Sequence, residues 1–245
     1  MLFTYLNNVP LFRHYMSVDL HNFFKYYKEE NKQHVAAVQW LEDNLPAAFL
    51  DDNSEWVAIF RKKIEGGISN PLKVPYYPQT DNYTNAERTC NSSSCAMCLE
   101  YFKPGTLEGS KGDDAYVKKV FELGDTTDHN VQTKVLEGYG VKSRFAQNLT
   151  FADLDRELAA GRPVVIGILH RGPLSAPRGG HMCVVIGKKG DDYIVNDPYG
   201  DLNDGYSSDV YNGKGAVYKK SELKVRWCPG GNDGWGRIFD QPLPK

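Results

Sequence analysis

No run of 18 apolar residues occurs in the 245-residue chain, so no transmembrane helix is expected. An excess of charge of one sign is also missing. The formal net charge is −2, and without a basic face a nucleic-acid partner is disfavoured. Cysteine is sparse and poorly patterned. There are five, an odd number, and no CxxC…CxxC array. That argues against a disulfide framework and against a zinc ribbon. Internal repeats and low-complexity tracts are absent as well. The first residues lack a basic n-region, and Asn7, Asn8, Pro10, Arg13 and His14 interrupt any apolar h-region. No signal peptide is therefore expected, and the chain is expected to be made in a reducing cytoplasm.

What is present is ordinary for a soluble globular protein, with 24% charged and 41% apolar residues. The length suits one large domain, or a medium domain with a small appendage. Aromatics reach 12%, with Tyr the largest contributor.

Residues 20–64 read as helical, with Asp51-Asp52-Asn53-Ser54 as helix-start chemistry. Lys62 to Pro71 is the linker candidate. The expected division is a helical N-terminal region, 1–66, and a second domain, 72–245. In the second, strands are expected at Lys73 to Tyr77, Pro163 to Leu169, Met182 to Ile186, Tyr193 to Asn196 and Ala216 to Tyr218. Helices are expected at Ser92 to Phe102, Asp114 to Leu123, Val131 to Tyr139 and Phe151 to Ala160. Helices first and an antiparallel sheet later indicate the α+β class.

After Cys90, apolar residues fall at 95, 98, 99 and 102, the stripe of an amphipathic helix. Cys90 thus sits at that helix's N-terminus, where partial positive charge and free N–H groups favour a thiolate. Read alone, Cys90 could equally be a small buried residue. Cys95 and Cys98 lie on the stripe and read as core. Cys228 has no identifiable partner.

Of six His residues, His181 stands out. It follows Gly179-Gly180 and opens the Met182 to Ile186 strand. The next strand ends in Asn196-Asp197-Pro198 after a turn containing Gly190. A hairpin centred near Gly190 brings His181 and Asp197 almost opposite one another. An Asp there can fix the imidazole tautomer and stabilise the imidazolium. The competing reading is an ordinary hairpin with a polar end. A zinc site from His181, Cys183 and Asp197 lacks a fourth ligand, so no metal or cofactor is expected.

At these residues the sequence resembles a known family. Val74-Pro75-Tyr76-Tyr77-Pro78-Gln79, then Thr89-Cys90-Asn91 with Ala96-Met97, then Gly179-Gly180-His181, then Asn196-Asp197-Pro198-Tyr199-Gly200 occur in one order. Together they are similar to papain-superfamily cysteine peptidases related to the bacteriocin-processing, double-glycine leader peptidases. The resemblance runs from about Leu72 to Trp235. It implies a papain-like fold, with the helix bearing the Cys packed on an antiparallel sheet. It implies that Cys90, His181 and Asp197 form a catalytic triad and that Gln79 is an oxyanion donor.

Further stretches resemble a stand-alone subgroup of bacterial and phage wall-degrading enzymes, the endolysins. They are Gly161-Arg162-Pro163-Val164-Val165, Leu169-His170-Arg171-Gly172-Pro173 and Asn203-Asp204-Gly205-Tyr206. The chain carries no transporter region, a departure from bacteriocin exporters. The resemblance therefore implies hydrolysis of peptide or amide bonds in peptidoglycan, acting on the cell wall after release from the cytoplasm. It leaves open a protein-processing peptidase or a transamidating acyltransferase, and less readily a non-catalytic binding module. The N-terminal aromatics Phe23, Phe24, Tyr26, Tyr27 and Trp40 could bind wall, or pack a small helical bundle or dock.

Overall fold

A computed structural model describes residues 71–207 and 209–241. The expected N-terminal helical region 1–66 and the linker up to residue 70 lie outside the described residues. Helix α1 runs Cys90–Phe102, α2 Gly112–Leu123 and α3 His129–Gly138. Then come β1 Ser143–Leu149, α4 Phe151–Ala159, β2 Val164–Arg171, β3 Arg178–Lys189 and β4 Asp192–Asn196. The chain finishes with β5 Ala216–Tyr218, α5 Lys220–Arg226 and β6 Gly234–Phe239.

Local chemistry explains several boundaries. Asp128 caps α3 by accepting from the N–H groups of Asn130 and Val131. Thr150 and Asp153 close a reciprocal capping box on α4. Lys103 ends α1, its N–H bonded to Leu99 O, and Pro104 follows, a residue that disfavours a helical conformation before it.

The six strands form one antiparallel sheet in the order β1-β6-β2-β3-β4-β5. Side-chain alternation along β3 divides two cores. Met182, Val184 and Ile186 pack with Met97 and Leu99 of α1, Tyr116 and Val120 of α2, and Leu136 of α3. Cys183 and Val185 pack with Leu154 and Leu158 of α4, Leu223 of α5, and Trp227 on the opposite face. Each large apolar side chain buried this way contributes about 1.5–3 kcal/mol. Cys95 and Cys98 are fully buried in the α1 core, as the stripe predicts.

Two expectations need correction. Lys73 to Tyr77 is not a strand. Pro71, Pro75 and Pro78 remove donors that a ladder needs, and the segment bonds elsewhere. Leu72 N–H reaches Ile186 O at 2.7 Å, and Asn196 Nδ2 donates to Val74 O at 3.2 Å. The sheet also holds two strands that the sequence pattern hides, β1 and β6.

Candidate active site

The first residue of α1 is Cys90. The preceding Thr89 makes no side-chain bond to the helix's first N–H groups. The positive end of α1 is thus open to the Cys90 sulfur, and the Cys90 N–H has no intrahelical acceptor. Helix α1 is locked by buried polar groups rather than by propensity. Ser92 Oγ and Thr126 Oγ1 lie 2.5 Å apart, Ser93 Oγ donates to Asp113 Oδ2 at 2.6 Å, and Ser94 Oγ donates to Met182 O at 3.2 Å.

The β3–β4 hairpin turns at Gly190, whose φ of 63° suits the first position of a two-residue turn. Val184 pairs with Asn196, which puts Asp197, one step further on, opposite Cys183. His181 therefore reaches Asp197 along the diagonal rather than straight across. The register shift between Val185 and Gly187 moves the residue opposite Asp197 from Val184 to Cys183, which brings His181 one residue closer and onto the same face.

His181 Nε2 lies 2.6 Å from Asp197 Oδ1, and both side chains are buried, at 3% and 0% exposure. Asp197 Oδ1 also accepts the Tyr199 N–H at 2.9 Å, and Oδ2 accepts the Tyr218 hydroxyl at 2.6 Å. With Nε2 engaged by Asp197, Nδ1 is the ring nitrogen left for Cys90. Burial disfavours a charged His181, but the Asp197 charge and hydrogen bond, with those of Cys90, outweigh it and raise the imidazole to about 10. Burial pushes the Cys90 thiol up. The hydrogen bond and charge of His181, with backbone N–H bonds from Met182 and Asn91, more than reverse this and leave it below 9.0. Both directions describe a thiolate–imidazolium pair.

Gln79 is 1% exposed and starts a short 3₁₀ turn, Gln79–Asp81. Its Nε2 donates to Ala86 O at 2.7 Å, while Oε1 is buried without a partner. Its backbone N–H bonds Pro198 O at 2.8 Å, tying it to the turn that carries Asp197. Cys90, His181 and Asp197 are thus brought together, and Gln79 is strapped to the same turn. Among the described residues, no group of three or more His, Cys, Asp or Glu is arranged to hold a metal ion. No described helix is long and apolar enough to cross a membrane.

Four residues around this centre have no role in the sequence reading: Tyr218, Tyr199, Tyr206 and His170. The His170 ring stacks on His181 at 4.8 Å between centroids. The short motifs containing His170 and Tyr206 carried part of the resemblance, which was the available signal for them. Nothing in the sequence of β5 distinguishes Tyr218 from a core tyrosine.

The model of the Peptidase_C39 like family matches residues 71–228, more than half of the chain. The chain belongs to the Peptidase_C39 like family. The α+β architecture, a Cys-bearing helix packed on an antiparallel sheet, is accordingly that of a papain-like peptidase fold. Among solved structures, the chain is similar to one described as a C39-like peptidase from Bacillus anthracis. The identity is 13% and the TM-score 0.48, covering 70% of this chain and 96% of that one. It is also similar to a double glycine motif protease from an AMS/PCAT transporter, solved with its leader peptide. There the identity is 17% and the TM-score 0.45, covering 71% of this chain and 96% of that one. No curated protein matches the chain.

Proposed function

We propose that this member of the Peptidase_C39 like family is a cysteine peptidase with Cys90 as nucleophile, His181 as acid–base and Asp197 as the group that orients His181. The observation that carries this reading is the buried His181–Asp197 contact of 2.6 Å beside a cysteine whose thiol is lowered at a helix N-terminus. The Cys90 thiolate attacks the substrate carbonyl carbon, and the carbon–oxygen π electrons move to oxygen. The Cys90 N–H and the second Nε2 hydrogen of Gln79 stabilise that oxyanion. The tetrahedral intermediate collapses, the C–N bond breaks, and His181 gives its proton to the leaving amine. Water, deprotonated by His181, then hydrolyses the thioester and frees the Cys90 sulfur.

Peptide bonds of bacterial peptidoglycan are the substrate to test first, on the strength of the endolysin-like motifs. A protein-processing peptidase is equally compatible with the family. The deciding assay digests purified sacculi and a peptide library with the wild type and with Cys90→Ala, reading fragments by mass spectrometry. New fragments from the wild type alone support the peptidase reading, and their masses name the bond. Fragments from the library but not from sacculi replace peptidoglycan with protein substrates. Fragments from both proteins, or from neither, remove Cys90 as nucleophile.

A further inference from the structure

An open cleft of about 410 Å³ lies beside the His181 stack, lined by Thr80, His170, Arg171, Tyr199 and Tyr206 among others. Three of these side chains pack around the His181 ring. The centroid distances are 4.8 Å for His170 and 6.1 Å for both Tyr199 and Tyr206. The topology requires the first contact. Ile168 of β2 pairs with His181, so His170, two residues on, shares its face and meets the ring on the diagonal. The opposite lip is Thr80, next to Gln79. Tyr206 holds a left-handed backbone with φ 59°, uncommon for a bulky residue. Its N–H bonds Asp201 O at 3.0 Å and its hydroxyl lies 3.2 Å from His170 Nδ1. Such a conformation persists where the surroundings impose it, and here it sets a wall of the cleft.

The electrostatics of this cleft are one-sided. None of the lining residues is acidic. Arg171 is exposed, and no ion pair engages it among the described residues. Its stem lies across Gly179, where an added Cβ would sit 3.2 Å from Arg171 Cδ. Arg178 is its cross-strand partner. Arg226 donates to Leu169 O at 2.6 Å and Gly172 O at 3.1 Å, which adds a further positive charge at the base of the hairpin. Neither Arg178 nor Arg226 has an acidic partner among the described residues.

We propose that this cleft receives the amine-side fragment of the substrate and that Arg171 selects fragments bearing a carboxylate. The inference rests on the cysteine-peptidase reading above. In that chemistry the leaving amine takes its proton from His181, so its fragment departs over the imidazole, towards the residues stacked around it. A guanidinium matches a carboxylate with two parallel N–H donors. Either a free terminal carboxylate or an acidic side chain satisfies this chemistry.

The experiment uses the full chain and a mixed peptide library, with every carboxyl amidated in a second aliquot. Fragments are sequenced by mass spectrometry, and sacculi are digested in parallel. In the wild type, a carboxylate within two residues on the amine side of the cut should be enriched about fivefold, in line with a partly exposed charge-assisted pair. Amidation should abolish the enrichment. Arg171→Gln should abolish it, and Arg171→Lys should restore part of it. Enrichment that survives Arg171→Gln overturns the inference and leaves the peptidase reading standing, as does a wild type that shows none. A wild type that makes no cut beyond those of Cys90→Ala, in library or sacculi, removes the peptidase reading and this inference with it.

Discussion

His181 is shared between an acidic partner on one ring nitrogen and a thiol on the other, and this sharing sets the pH response of the site. The sign follows from the two shifts. The thiol is lowered, so the thiolate is present above a pH that lies under 9.0 and is lost as pH falls through that value. The imidazole is raised to about 10, so its charge is present below that pH and is lost as pH rises through it. The rate kcat/KM should therefore form a broad bell with its alkaline limb near pH 10. Alkylation of Cys90 by iodoacetamide should set in below the pH at which a free thiol reacts. An alkylation rate that rises only around pH 9 would remove the ion pair. Replacing Cys90 with Ala should lower kcat by about 10³- to 10⁶-fold.

Tyr218 acts at the same scale without touching the reacting atoms. Its hydroxyl donates to Asp197 Oδ2 at 2.6 Å and accepts the Leu202 N–H at 3.1 Å, which directs its proton towards the carboxylate. Tyr218→Phe removes a hydrogen bond to a charged group, worth about 1.5–3 kcal/mol. It should lower kcat by roughly tenfold or more with KM little changed, since Asp197 then holds His181 less well. The alkaline limb should also move, because the Tyr218 O–H dipole no longer offsets part of the Asp197 charge at His181. A loss of thermal stability with an unmoved pH profile would make Tyr218 a packing residue only.

At the scale of elements, the site depends on a strap rather than a strand. Residues 72–79 cross the ends of β3 and β4, and Asn196 is the knot. Its Nδ2 donates to Val74 O at 3.2 Å and Pro75 O at 3.4 Å, and its Oδ1 accepts the Gly215 N–H at 3.1 Å. Asn196→Ala leaves the buried Val74 O and the partly buried Pro75 O and Gly215 N–H unpaired, at a cost of about 1–3 kcal/mol for each one that stays buried without a substitute. Because the same strap carries Gln79, kcat should fall along with the melting temperature. A variant that melts earlier but turns over at the wild-type rate would show that the strap does not position Gln79.

The elements also show which patterns a sequence exposes. All four expected helices of the second domain are present because their apolar residues repeat with helical spacing, and polar residues cap α3 and α4. The β3–β4 hairpin was legible because an apolar run, a glycine turn and a second run stand in line. The opposing error was the strap: its Val and Tyr content reads as strand, but Pro75 and Pro78 deny it two donors. Strand β1, Ser143–Leu149, hides because it is an edge strand with Arg144, Gln147 and Asn148 exposed. Strand β6 hides because it is glycine-rich, and the glycines answer to neighbours distant in sequence. A Cβ at Gly236 would lie 2.4 Å from Val165 O, and one at Gly234 2.5 Å from the Trp227 ring. The Cys90, His181 and Asp197 cluster was legible from motif and spacing. The shell of His170, Tyr199, Tyr206 and Tyr218 was not, since Tyr199 and Tyr206 come from loops and His170 and Tyr218 stand near strand ends where no periodicity marks them.

At the scale of the whole molecule, the polar bed beneath α1 links stability to pH. Asp113 is fully buried, and burial first, then the nearby carboxylates Asp81 and Asp114, raise it to about 7 against the opposing Ser93 hydrogen bond. Its Oδ1 has no partner. A carboxyl raised from 3.8 to about 7 on folding stabilises the fold fully below 3.8, and that contribution is lost as pH rises through 7. His129 and His170 are lowered to about 4, chiefly by burial, so in the unfolded state they take up protons near 6.5 and oppose the Asp113 effect below that pH. His181, raised to about 10, adds to the Asp113 effect above it. The melting temperature should accordingly fall between pH 7 and pH 8. Asp113→Asn keeps the shape, lets the side-chain oxygen accept from Ser93, and cannot ionise. Its melting temperature should vary less over the same range, and the gap between variant and wild type should shift in the variant's favour as pH rises. A gap that stays constant from pH 5 to pH 8 would mean that Asp113 holds one protonation state throughout and does not link stability to pH.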